Sequence, residues 1–179
     1  MHVPYNFNMF TIRKATSKDV KKLTEVGKKA FYLPHKDAIP KHIMNAYLTE
    51  NFSKENILKE IHNNNFEYRL LYVGDTLAGF SKIILNHKNE NINLDNVTKM
   101  ERLYLIEDFF GKGLGKELFE YNLNFIQKEN QKGIWLYVWI KNYRAIDFYK
   151  KVGFKKIASY DFPISATETR PNYLFFLEF

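Results

Sequence analysis

The sequence contains no cysteine. That excludes a disulfide framework, a thiolate nucleophile and a thiolate metal site, and it agrees with a reducing compartment, so the cytoplasm is the expected location. Its five histidines are scattered without ligand spacing, so no metal site is expected. No apolar run approaches the roughly 20 residues of a membrane span, and no signal-peptide apolar segment precedes the first strand. Internal repeats, low-complexity tracts and inter-domain linkers are also lacking. Helix-turn-helix, zinc-finger and RNP-like signatures do not occur, so no nucleic-acid partner is expected.

What remains is a chain of 179 residues, long enough for one domain with a sizeable core. Formal net charge is +7. Such a surface can bind nucleic acid, attract an anionic cofactor, or simply be lysine-rich and solvated. The lysines are spread along the chain, which favours the last reading and then the cofactor. Residues 1–8 show no pattern. They are expected to form a flexible extension, with Met9 an alternative start and residues 9–179 the domain.

The chain is organised around Met100–Phe119, M-E-R-L-Y-L-I-E-D-F-F-G-K-G-L-G-K-E-L-F. Leu103–Ile106 suits a buried strand. Gly111, Gly113 and Gly115 follow within five residues, and Leu114, Leu118, Tyr121 and Phe125 then recur at helical spacing. A glycine turn feeding a helix N-terminus offers unpartnered N–H groups and a favourable dipole to an anion. Lys112 and Lys116 add charge. Alone, the triplet also fits a plain tight turn. No Gly-Lys-Ser/Thr closes it, so it is not a Walker loop. It also lacks the βαβ setting and the acidic residue of a dinucleotide fingerprint.

Phe10–Arg13 reads as a first strand. Ser17 caps a helix through Phe31, which Pro34 ends, and His35–Pro40 is a loop. Ile43–Leu48 marks a second helix, and Ser53 caps a third. Phe66–Val73 and Leu77–Leu85 form a hairpin about Gly74-Asp75. Residues 86–96 are an exposed connection, then comes a core strand, Thr98–Ile106. After the glycine turn a helix runs to about Asn130. Ile134–Ile140 (I-W-L-Y-V-W-I) is an interior strand. Asn142–Val152 is a helix closed by Gly153. Phe154–Tyr160 and Tyr173–Phe179 are final strands joined by a loop holding Pro163 and Pro171. The order is β-α-α-β-β-β-α-β-α-β-β, an α/β domain with a mixed sheet.

The turn F-F-G-K-G-L-G resembles motif A of the GCN5-related N-acetyltransferase (GNAT) superfamily, usually Q/R-x-x-G-x-G/A. The later N-Y-R-A-I-D-F-Y-K-K-V-G-F resembles its motif B. Together with A-Y-L-T-E-N-F-S-K-E-N-I-L-K-E-I, the chain looks like PaiA-type spermidine/spermine acetyltransferases. The resemblance implies a single domain with a mixed, mostly antiparallel sheet, splayed between the fourth and fifth strands and flanked by helices. It further implies acetyl transfer from acetyl-CoA to a primary amine, most directly a polyamine. The alternatives are a protein or peptide amine and a non-catalytic acetyl-CoA-binding domain. The assembly expected is a monomer or homodimer. One position departs from the pattern: Phe110 stands where Gln or Arg is usual, with Lys112, Lys116 or Arg102 as substitutes for its charge.

By resemblance, Leu103, Tyr104 and Leu105 meet the pantetheine arm and thioester, with a backbone N–H near Leu105 as oxyanion donor. Gly111, Lys112, Gly113, Leu114, Gly115 and Lys116 hold the pyrophosphate, and Asn142, Ala145 and Lys151 complete the cofactor site. Tyr149 sits where the family places its general acid. A phenol is protonated at neutral pH and can donate to sulfur, although the helix pattern alone makes it a core tyrosine. Glu101 is the expected base or amine anchor; a strand-entry carboxylate paired with Arg102 or a lysine is the other reading. Strand periodicity points it the same way as Leu103. Tyr32, His35, Asp37, Tyr47 and Trp139 are the candidate acceptor wall, where aromatic faces would suit a polycation.

Overall fold

The computed structural model describes residues 10–179. The expectations for residues 1–8 and Met9 lie outside the described residues. Among the described residues seven strands form one sheet: β1 (Phe10–Lys14), β2 (Phe66–Val73), β3 (Thr76–Ile84), β4 (Val97–Leu105), β5 (Gly133–Trp139), β6 (Lys155–Pro163) and β7 (Thr169–Glu178). Their order is β1-β2-β3-β4-β5-β7-β6, antiparallel except for the β4–β5 pair. Five helices flank it: α1 (Val20–His35), α2 (Lys41–Asn51), α3 (Lys54–Ile61), α4 (Leu114–Lys128) and α5 (Tyr143–Lys151).

One face carries α1–α3. Leu23 and Ile57 pack there on Leu70 and Phe80 of the hairpin, all buried. The other face carries α4 and α5. Phe119, Ile126, Ile146 and Tyr149 pack there on Ile83, Leu136 and Phe175. Both layers follow from helices that are apolar along one stripe only.

The parallel pairing of β4 and β5 is brief. It covers Val97↔Gly133, Thr98↔Ile134 and Lys99↔Trp135, and beyond Lys99 the strands part. The sheet is therefore splayed between its fourth and fifth strands, as the resemblance implied. Residues 107–109 make a short 3-10 turn, and Gly113 caps α4.

Several local expectations are corrected. The first helical entry is capped by Thr16, not Ser17: its N–H donates to Asp19 Oδ2 at 2.8 Å, and Arg13 clamps the same carboxylate. Pro34 does not end α1, which continues to His35; in the last turn a proline forfeits one backbone bond without breaking the preceding turns. Pro171 lies within β7, which starts at Thr169. Its carbonyl accepts from Ile140 N at 3.2 Å, so its missing N–H faces the end of β5, where no ladder bond is lost. The 86–96 connection is partly buried, with Ile92 packed on Val97, Trp135 and Leu174. In β7, Leu174 and Phe175 are fully buried, so this apolar strand is core.

Candidate active site

Where β4 and β5 part, a cleft of about 1460 Å³ opens. Met100–Ile106 line one arm. Tyr137, Val138 and Trp139 with α5 line the other, and the end of α1, Tyr47 and the β6–β7 hairpin close the end opposite the glycine turn.

The β4 arm contains a register slip. Lys82 pairs with Arg102 and Ile83 with Met100, so Glu101 is an extra residue bulged out of the ladder. The bulge breaks strict alternation. Met100 and Leu103 both face α4, while Arg102 faces the other helices and bonds Tyr68 Oη and Asn51 O, each at 3.2 Å. Glu101 turns to that same side and pairs with Lys82, whose other partner is Glu60 of α3. The expectation that Glu101 and Leu103 share a direction therefore fails. Arg102 is also withdrawn as a phosphate ligand, since its guanidinium lies over the Phe52 ring at 4.2 Å on the face opposite α4.

Burial pushes the Glu101 carboxyl up, but Lys82, Arg102 and Lys99 outweigh it and hold it at about 2. Lys99 Nζ lies 3.3 Å from its Oε1. Glu101 is thus a carboxylate at any working pH and a weak proton acceptor.

At the far end of β4 the chain enters the glycine turn. Gly111 and Gly113 have φ of 73° and 77°, and the space where a Cβ would stand is empty at both. The N–H groups of Leu114 and Gly115 begin α4 and have no intrahelical acceptor. This is a cradle of the kind phosphate needs. Gly111, Gly113, Gly115 and Lys116 line the cleft; Lys112 and Leu114 do not. Lys112 lies over the Phe109 ring, and Leu114 is a core side chain packed with Leu71 and Leu118, so only its backbone can serve.

On the other arm, Asn142 caps α5 by accepting from Ala145 N at 3.3 Å. Asn142, Ala145, Tyr149 and Lys151 all line the cleft, as do Leu103, Tyr104 and Leu105 opposite. Tyr149 lies against Phe148, Phe154 and Phe175, and burial pushes its phenol well above the usual range. It therefore stays protonated across neutral pH.

The end of the cleft opposite the glycine turn is built on stacked rings. Tyr47 lies on Phe31 (4.5 Å between centroids), Phe31 on His35 (4.6 Å) and His35 on Trp139 (5.3 Å). The stack bridges the helical wall and the tip of β5. Burial pushes the His35 imidazole down, with the Phe31 backbone opposing, and pushes the Tyr47 phenol up to about 12. Tyr32 and Asp37 do not line the cleft; both are exposed, Tyr32 pointing away from the face of α1 that carries Phe31 and His35. Residues not foreseen from sequence include Lys82, Glu50 and Arg144. Arg170 is another, donating to Ala38 O at 2.8 Å and tying the β6–β7 hairpin to the loop that follows α1. Among the described residues no group of three or more His, Asp or Glu side chains is placed to hold a metal, and no helix is long and apolar enough to cross a membrane.

A profile of the Acetyltransferase (GNAT) family matches residues 36–154. A spermidine N(1)-acetyltransferase of Thermoplasma acidophilum is 27% identical over 148 residues, 80% of this chain and 87% of that protein. The crystal structure of a PaiA N-acetyltransferase from Thermoplasma acidophilum in complex with coenzyme A superposes with a TM-score of 0.77 at 23% identity, covering 96% of this chain and 99% of that one. The ribosomal-protein-S18-alanine N-acetyltransferase of Escherichia coli superposes with a TM-score of 0.67 at 17% identity, covering 95% and 94%.

Proposed function

The chain belongs to the Acetyltransferase (GNAT) family, and from that premise we propose that it transfers the acetyl group of acetyl-CoA to a primary amine of a polyamine such as spermidine or spermine. The observation that carries the reading is the splay itself. Met100–Leu105 and Leu136–Trp139 separate just where Tyr149 faces the gap, with the glycine cradle at one end and the ring stack at the other.

In this reading the cradle of Gly111–Lys116 holds the pyrophosphate by backbone donors. Strand edges freed by the splay receive the pantetheine amides, and Asn142 adds its side chain. The amine lone pair attacks the thioester carbonyl. A backbone N–H near Leu105 steadies the developing oxyanion. The C–S bond breaks as Tyr149 gives its proton to the departing sulfur; the nitrogen of the tetrahedral intermediate releases its extra proton through water, which restores the phenol and leaves the amide. The acceptor arrives as an ammonium and must lose a proton before attack. Glu101 is too firmly paired to be the main acceptor of that proton. It serves instead as a fixed negative charge that attracts the ammonium and orders water, which carries the proton off.

Polyamine as acceptor rests on the spermidine acetyltransferase relative, on the ring stack from Tyr47 to Trp139, which offers π faces to an extended cation, and on the exposed carboxylate of Glu50 beside it. A peptide or protein amine is the second reading. It is favoured by Lys29, Lys36 and Arg170 on the same rim, which would repel a free polycation. Thiol release from acetyl-CoA, measured across spermidine, spermine, a short diamine and peptides with free N-terminal or lysine amines, separates the two. Turnover with peptides alone would replace the polyamine assignment and leave acetyl transfer standing.

A further inference from the structure

The guanidinium of Arg144 lies 3.6 Å from the centroid of the Phe110 ring. Phe110 immediately precedes the glycine turn, and Arg144 belongs to the first turn of α5. Both line the cleft beside Gly111, Gly113 and Lys116. Among the described residues Arg144 forms no salt bridge, although Asp147 lies one turn along and Glu107 shares the rim. A guanidinium flat on an aromatic face is fixed in orientation without spending its N–H donors, which radiate from the edge of the plane. An ion pair would have spent them. Lys116, by contrast, already has Glu120 at 3.4 Å.

We propose that Arg144, held by Phe110, is a cofactor-binding residue that donates bidentate hydrogen bonds to phosphoryl oxygens of acetyl-CoA at the mouth of the glycine cradle. The chain thereby recovers, from α5, the directed cation that an apolar side chain at position 110 cannot supply, and Phe110 becomes its platform. The inference rests on the acetyl-CoA reading above. It also gives the surplus of positive charge a local use, because Lys116, Lys151 and Arg144 converge on one rim. Phosphoryl oxygens reach that rim from two sources on one ligand, the pyrophosphate and the 3′-phosphate.

The test is calorimetric titration of the full chain with CoA and with dephospho-CoA, for wild type, Arg144→Ala, Arg144→Lys, Phe110→Leu and the double variant Arg144→Ala/Phe110→Leu. Arg144→Ala is expected to raise Kd for CoA about tenfold, with Arg144→Lys recovering only part because a point charge lacks the fork. Equal losses with both ligands locate the contact at the pyrophosphate. A loss confined to CoA locates it at the 3′-phosphate. Phe110→Leu should weaken binding by itself and add nothing in the Arg144→Ala background. Unchanged Kd in Arg144→Ala while wild type binds CoA would overturn this inference alone, as would an undiminished Phe110→Leu effect without Arg144. A wild-type chain that binds neither ligand overturns the acetyl-CoA reading with it. Arg144 is exposed, and an unchanged thermal midpoint confirms that the variants are folded.

Discussion

Lys82 of β3 pairs with Glu101 of β4 at the point where the two strands slip register, and it reaches Glu60 of α3 from the same position at 2.6 Å. The bulge thus places a carboxylate at the cleft and, at once, the cation that keeps it ionised. Attraction of an ammonium and abstraction of its proton make opposite demands on a carboxylate. This pairing serves the first.

Glu101→Gln is therefore expected to raise KM for the amine about tenfold, with a smaller fall in kcat. Lys82 keeps Glu60, so the stability loss at neutral pH should be about 1–3 kcal/mol, less than that of a buried cation left with no partner. Because the folded carboxyl lies at about 2, below its ordinary 4.5, its stabilisation is present above about 4.5 and fades as pH falls toward 2. Lys82→Met should move the acid limb of kcat/KM upward, since removing the nearest cation lets Glu101 titrate nearer its usual range. Steady-state kinetics from pH 4 to 9 check both.

Gly113→Ala puts a side chain on a residue with φ of 77°. No neighbour stands within 4 Å of the added Cβ, so the folding cost is backbone strain alone, about 1–2 kcal/mol. The new methyl would occupy the approach to the cradle. Affinity for CoA should therefore fall further than stability, as denaturation and titration on the same sample would show.

His35 is half-buried in the ring stack and its imidazole is pushed below 6.5, so the unfolded chain takes up its proton first as pH falls. Stability from this group is full above about 6.5 and declines as pH drops below it. His35→Phe keeps a ring between Phe31 and Trp139 but cannot titrate. It should flatten the decline measured by urea unfolding between pH 7 and 5. His87, also pushed down, retains its own share.

Much of this site was legible in the chain. The glycines at 111, 113 and 115 stand between an apolar strand and a helical repeat, and that order alone specifies a turn feeding a helix. The run I-W-L-Y-V-W-I announces an interior strand because both its faces are apolar. The bulge at Glu101 carries no such mark: M-E-R-L contains no glycine or proline, and a slip is a property of the pair of strands, here fixed by where Lys82 must sit. The Arg144–Phe110 stack joins residues 34 positions apart, through the packing of α5 against the turn. Tyr32 and Asp37 were near the right segment, but which face of α1 meets the cleft depends on how Phe31 packs on Phe52, and that is a tertiary choice.

Transfer to an amine inside the splay, with Tyr149 supplying the proton to sulfur, is tested most directly by one comparison. Wild type and Tyr149→Phe are assayed with acetyl-CoA and spermidine, following free thiol and acetylated product together. The expected result is one thiol released per monoacetylated spermidine in wild type. In Tyr149→Phe, kcat should fall about 10²- to 10⁴-fold with little change in CoA affinity. Wild-type turnover in Tyr149→Phe, or thiol release with no acetylated amine, would contradict it.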